Sequence, residues 1–108
     1  MKEPEIAFIG FQSIDESEIS VIKGIVLKSL NKLSKKAEIE LIRLELKQHK
    51  HAKEFMHEMK AVLFLKNNRI SATDSDKNIY KALSGVMCKL DKESEHKERT
   101  KNSSKSSK

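Results

Sequence analysis

A two-layer α+β domain of order β-α-β-β-β-α, a four-stranded sheet with two helices on one face, is predicted by three features of the sequence. Two long segments, 15–35 and 75–97, repeat apolar residues at helical spacing. Around them lie shorter stretches that alternate, or are apolar throughout, as strands do. The chain, at 108 residues, can build one small domain with a single core but not two.

The first strand is "EIAFIGF" (Glu5–Phe11), rich in β-branched and aromatic residues, with Gly10 at its end. Asp15 followed by Glu18 is an Asp-x-x-Glu capping box that opens the first helix. Ile19, Ile22, Val26, Leu30 and Leu33 then form its apolar face, and the helix is expected to run from Asp15 to Lys35. "EIELIRLELK" (Glu38–Lys47) is the second strand. Ile42, Leu44 and Leu46 point in, Arg43, Glu45 and Lys47 point out, and a change of phase near Leu41 predicts a bulge.

"QHKHAKE" reads as a polar connection. "FMHEMKAVLFLK" (Phe55–Lys66) is ambiguous between helix and strand at its start. Its run Ala61–Leu65 is apolar on both phases, which marks a central strand. Asn67-Asn68 is a turn, because Asn tolerates positive φ, and "RISAT" (Arg69–Thr73) is the return strand. Asp74 or Ser75 is the expected cap of the last helix, which ends near Lys97. The folded domain is expected over 1–98, and 99–108 as a Ser/Lys tail with nothing to bury.

The net charge of +6 and pI near 9.4 make the chain a candidate phosphate binder. The excess is concentrated late, with nine Lys/Arg against five Asp/Glu in residues 75–108. An aromatic content of 5% without Trp argues against an aromatic platform for single-stranded bases. The single cysteine, Cys88, cannot form an internal disulfide, which fits a reducing compartment. "MKEPEIAFIG" has too short an apolar stretch for a signal peptide, and no long apolar run follows. A cytoplasmic protein with no membrane partner is the expectation.

Rotating each helix by about 100° per residue sorts its faces. In the last helix Ile79, Leu83, Val86, Met87 and Leu90 share one side. Lys77, Lys81, Lys92 and Arg99 lie opposite, with Cys88 among them and Lys89 and His96 flanking. In the first helix Lys28, Lys32 and Lys35 lie opposite the apolar face, with Lys36 beside them. A single lysine stripe is ordinarily a solvated face. Two stripes on adjacent helices would merge into one broad cationic surface, suited to phosphates and to double-stranded RNA read through its backbone. Gly85, placed mid-helix on the outer side, is either a tolerated defect or a point of close approach for an RNA backbone.

With the helices placed, "RISATDSDKNIYKALSGVMCKLDKE" resembles the ribosome hibernation promoting factor / ribosome-associated inhibitor family in its short form. That family has a strand ending in Ala-rich text, then a helix of the form Asp-Met-Tyr-x-Ala-Ile-Asp-x-Leu followed by Asp-Lys-Leu and further basic residues. Ile79-Tyr80, Ala82-Leu83 and Lys89-Leu90 match in place, and "AFIG" before an acid-capped helix resembles the family's opening. Asn78 stands where the family usually has Asp, and Glu93-Ser94 where it has Gln-Leu; Glu95 and Glu98 make this helix end more acidic. The resemblance covers about residues 5–97. It implies a protein that binds the small ribosomal subunit in the mRNA/tRNA channel and silences translation sterically. It also implies that Lys28, Lys32, Lys35, Lys81, Lys89 and Lys92 contact ribosomal RNA, and the stripe adds Lys77 and Arg99. A general duplex-RNA binder is the alternative, and a protein–protein module using the sheet's open face a third reading.

No enzyme, cofactor or small-molecule substrate is expected, because no catalytic constellation stands out. Cys88 and His96 are about two helical turns apart, too far for a nucleophile pair. Gly10, Gly24 and Gly85 form no phosphate loop. "HKHAKEFMHEMK" gathers His49, His51, His57, Glu54 and Glu58 but lacks zincin spacing, so these are expected as exposed loop residues rather than metal ligands.

Overall fold

The structure is a computed structural model that describes the backbone of residues 5–51 and 53–103, and the side chains of 5–50 and 53–94. Its elements follow the predicted order: β1 (Glu5–Ile9), α1 (Glu16–Leu33), β2 (Ile39–His51), β3 (Glu54–Leu65), β4 (Arg69–Asp76) and α2 (Ile79–Ser103). The strands form one sheet in the order β1-β2-β3-β4; β1 is parallel to β2 and the other neighbours are antiparallel. Both helices cover the same sheet face.

Register places the core. Ile42 lies across from Leu63, Leu44 from Ala61 and Leu46 from Met59, all six buried. Ile22, Val26, Leu30 and Leu33 of α1 and Ile79, Leu83, Val86, Met87 and Leu90 of α2 close over them. Each of the larger chains withdrawn from water contributes roughly 1.5–3 kcal/mol of favourable transfer. The phase change in β2 is a register shift between Ile39 and Leu41, as expected. Gly10 ends β1 with φ of 81°, where a Cβ would run into the carbonyl oxygen of Leu46. The chain can then turn sharply and bury Phe11, whose ring meets Phe8 edge-on at 5.0 Å.

The structure corrects several local expectations. Gln48–Glu54 is mostly strand rather than a connection. The β2–β3 ribbon continues to the pair His51↔Glu54, and Phe55–His57 is strand without ambiguity. Backbone pairing across the hairpin carries the extension, helped by Gln48 beside His57 at 3.4 Å and His49 to Glu58 at 2.8 Å. Asp15 is the N-cap of α1, but its carboxylate accepts the Ser17 hydroxyl at 2.6 Å instead of a backbone N–H. The helix ends at Leu33, which leaves Lys35 in the following turn.

At the other helix, Asp74 and Ser75 are not caps. They remain in β4, paired with Met59 and Glu58. The cap is Asn78, whose Oδ1 accepts from the backbone N–H of Tyr80 at 2.8 Å and, more weakly, Lys81 at 3.4 Å. Asp76 Oδ1 in turn accepts the Asn78 N–H at 2.9 Å. Asn and Asp are near-equal caps, so Asn78 keeps the chemistry of the residue it replaces in the resemblance. α2 runs to Ser103, past the expected end near Lys97. Glu, Lys and Arg are good helix formers and no Gly or Pro interrupts residues 97–103. The rest of the tail, 104–108, lies outside the described residues.

Asn78→Ala is expected to lower stability by about 1 kcal/mol, and Asn78→Asp to leave it nearly unchanged. Urea unfolding followed by far-UV circular dichroism measures both.

Candidate nucleic-acid interface

The outer layer of the two helices carries the cations, and acidic neighbours divide them into two sets. Lys28 and Lys32 of α1, Lys35 just beyond it, and Lys81 and Lys92 of α2 are exposed, with no ion pair among the described residues. These five are available to an anionic partner.

The other predicted lysines are committed. Lys77 Nζ reaches Glu54 at 3.0 Å, which ties the start of α2 to the tip of the β2–β3 ribbon. Lys89 does not join the outward stripe. It leans toward β4, donates to the Thr73 carbonyl at 2.8 Å and lies 3.7 Å from Asp74. Lys36, in the turn after α1, pairs with Asp91 at 2.8 Å and ties that turn to α2. Arg99 lies on the α2 backbone, but its side chain is outside the described residues, as are those of Glu95, His96 and Glu98.

Gly85 has a reason that neither sequence reading supplied. It faces β4, and a Cβ there would collide with Asp74 Oδ2 and lie 2.8 Å from Asp74 Cγ. The missing side chain makes room for the Asp74 carboxylate, and Lys89, one turn further along α2, meets that carboxylate. Gly85 is therefore a helix–strand contact, not an outward surface for RNA.

The histidines divide as well. His49 contacts Glu58, while His57 sits beside Gln48, which also accepts the Ser13 hydroxyl at 2.8 Å. Strand alternation puts positions 49 and 57 on opposite sheet faces, so these two rings do not converge. No group of three potential metal ligands occurs among the described residues, and the His51 side chain is outside them. Both described rings lie on strands, not in a loop.

One cationic cluster escaped the sequence reading. On the sheet face away from the helices, Phe64 lies under two guanidinium groups, Arg43 at 5.5 Å and Arg69 at 5.8 Å from the ring centre. Arg43 also reaches Glu45 at 3.0 Å. Its signal was present as outward-phase residues on three neighbouring strands, visible only once the register is known. The same stack gives the open face a mixed aromatic and cationic character.

Comparison with solved structures bears on the fold. A ribosomal subunit interface protein from Coxiella burnetii superposes with a TM-score of 0.59 at 19% identity, over 87% of this chain and 97% of that one. The N-terminal domain of Thermus thermophilus Protein Y gives 0.54 at 14% identity, over 89% and 98%. The chain shares their fold. It is the fold that the sequence resemblance implies, extended over nearly the whole of both solved domains. No protein-family model and no curated protein matches the sequence.

A double-mutant cycle tests the Gly85 contact. In an Asp74→Ala background, Gly85→Ala is expected to stabilise the fold by about 1 kcal/mol, the helix-propensity gain. With Asp74 present, that gain is expected to vanish or reverse, as read by the midpoint of urea unfolding.

Proposed function

We propose that the protein is a ribosome-associated dormancy factor. It would bind ribosomal RNA of the small subunit in the mRNA/tRNA channel through the outer faces of α1 and α2, and silence translation by occupying that space. The observation that carries this reading is the set of five uncommitted lysines, Lys28, Lys32, Lys35, Lys81 and Lys92, on one layer of the domain. The fold supports it, being shared with a ribosomal subunit interface protein. Binding by charge and shape needs no chemical step, and the reading assigns no catalytic residue. It places the protein in the cytoplasm; no described helix is long and apolar enough to cross a membrane.

Lys77 and Lys89, named with the others from sequence, are secondary in this reading because acids already engage them. Lys81 and Lys92 matter more, since each extended amine can meet a phosphate without first breaking an ion pair. Five such contacts correspond to a log–log salt slope of about −3.5 to −4.5.

Lys81→Glu with Lys92→Glu is expected to abolish co-sedimentation with small subunits at moderate salt and to reduce the salt slope by about 2. Lys77→Ala is expected to leave the slope unchanged. Equal binding by the double variant and the parent would sink the proposed surface. In a cell-free extract, stoichiometric excess of the parent is expected to stop synthesis of a reporter, and the double variant to leave it running. Excess free RNA duplex separates the alternative: a general duplex binder is stripped from ribosomes by it, a channel binder is not.

A further inference from the structure

Phosphate contacts leave one feature of this surface unused. Between α1 and α2 runs a groove of about 260 Å³. It exists because small residues face one another there: Ser29 on α1 and Ser84 on α2 cannot fill the space that larger chains would close. Its floor is aliphatic, formed by Ile25, Leu33 and Met87. The Ser29 and Ser84 hydroxyls have no protein hydrogen-bond partner among the described residues, so each can donate and accept. Lys32 and Cys88 stand on the rim, and Asp91, also in the lining, pairs with Lys36 of the turn after α1.

We infer that this groove takes an unpaired nucleobase from the bound RNA, an inference that rests on the RNA-binding role proposed above. Three observations favour that occupant. An aliphatic slot with hydroxyls at its edge matches a flat heterocycle whose faces are apolar and whose rim is polar; extruded bases are held between apolar side chains and read along their edges. Lys32 lines the groove opposite Asp91, and helical spacing sets the exposed Lys28 on α1 and Lys81 and Lys92 on α2 along the same outer faces, so the phosphates flanking such a base would meet cations on both helices. And Asp91, the one acid in the groove's lining, is paired with Lys36 at 2.8 Å, so it offers those phosphates little repulsion. The scarcity of aromatic residues is no obstacle, because the base would pack against Ile25, Leu33 and Met87 instead of stacking on rings.

The proposal makes recognition selective for structure. A fully paired duplex can satisfy the lysines but cannot fill the groove. An RNA with a bulged nucleotide can do both.

Cys88 supplies a built-in reporter, as the only thiol of the chain, exposed on the groove's rim. Two RNA hairpins of equal phosphate number would be compared, one fully paired and one carrying a single unpaired adenosine. The expected result is about tenfold tighter binding of the bulged RNA by fluorescence anisotropy, of the order that withdrawing part of one base's apolar surface from water supplies. At saturation the bulged RNA is expected to slow alkylation of Cys88 by N-ethylmaleimide several-fold more than the paired one. Ser84→Leu fills the groove from an exposed helical position, where Leu is the better helix former. It is expected to erase the preference for the bulge while leaving affinity for the paired hairpin unchanged. Equal affinity and equal protection with both RNAs would overturn the groove assignment and leave the proposed function standing. Failure to bind either RNA would overturn the groove assignment alone, since co-sedimentation with small subunits tests the proposed function separately. Protection of Cys88 by polyglutamate as strong as that by bulged RNA would show that charge alone shields the thiol, and would also overturn the assignment.

Discussion

The register of the β2–β3 hairpin is the constraint on which the rest of the molecule depends. With Ile42, Leu44 and Leu46 opposite Leu63, Ala61 and Met59, one sheet face is apolar at its centre and must be covered. A slip of one residue would turn one strand's three side chains to the other face and leave α1 and α2 only half of that surface to pack on. The shift between Ile39 and Leu41 adjusts the end of β2 without disturbing that central pairing. Because the helices are held by their apolar sides, their lysines have nowhere to go but outward. The basic surface is thus a consequence of hydrophobic packing.

Within that surface, short-range electrostatics decides what each cation can do. Lys77, Lys89 and Lys36 have acids from distant parts of the chain within reach: Glu54 from the ribbon, Asp74 from β4 and Asp91 from the neighbouring helix. Such exposed pairs add little stability, of order 0–1 kcal/mol. Their larger effect is positional, since they connect α2 to the hairpin tip, to β4 and to the turn after α1. A chain with 22 basic residues therefore divides them between holding the layers in place and facing solvent.

Most of the architecture was legible in the sequence because it depends on periodicity. The alternation of Ile42, Leu44 and Leu46, the two-sided run Ala61–Leu65 and the helical spacing from Ile19 to Leu33 each specify one element without reference to the others. What was not legible depends on partners far along the chain. Asp74 looks like a helix cap until β3 is known to hold it in the ladder, which makes Asn78 the first residue free to cap. Gln48 to Glu54 looks like a connection because the pairing that makes most of it strand is across the hairpin, not along it. For the same reason the lysine stripe was readable as a set, but the separation of Lys89 and Lys77 from Lys81 and Lys92 was not. Gly85 makes sense only beside the Asp74 carboxylate.

The unequal lengths of β1 and β2 leave part of a strand without a neighbour. β1 pairs only with Leu41–Glu45, whereas β2 continues to His51, so the backbone of its far half has one side without a ladder partner. A bare edge of this kind is where a second molecule could add a strand and begin a chain of copies. Here the exposed stretch reads Lys47-Gln48-His49-Lys50, with two of its four side chains cationic at neutral pH and Gln48 already held by Ser13. Two copies approaching edge to edge would bring like charges together before any backbone hydrogen bond could form. The polar text that obscured the ribbon in the sequence thus also disfavours edge-to-edge pairing along this part of the sheet.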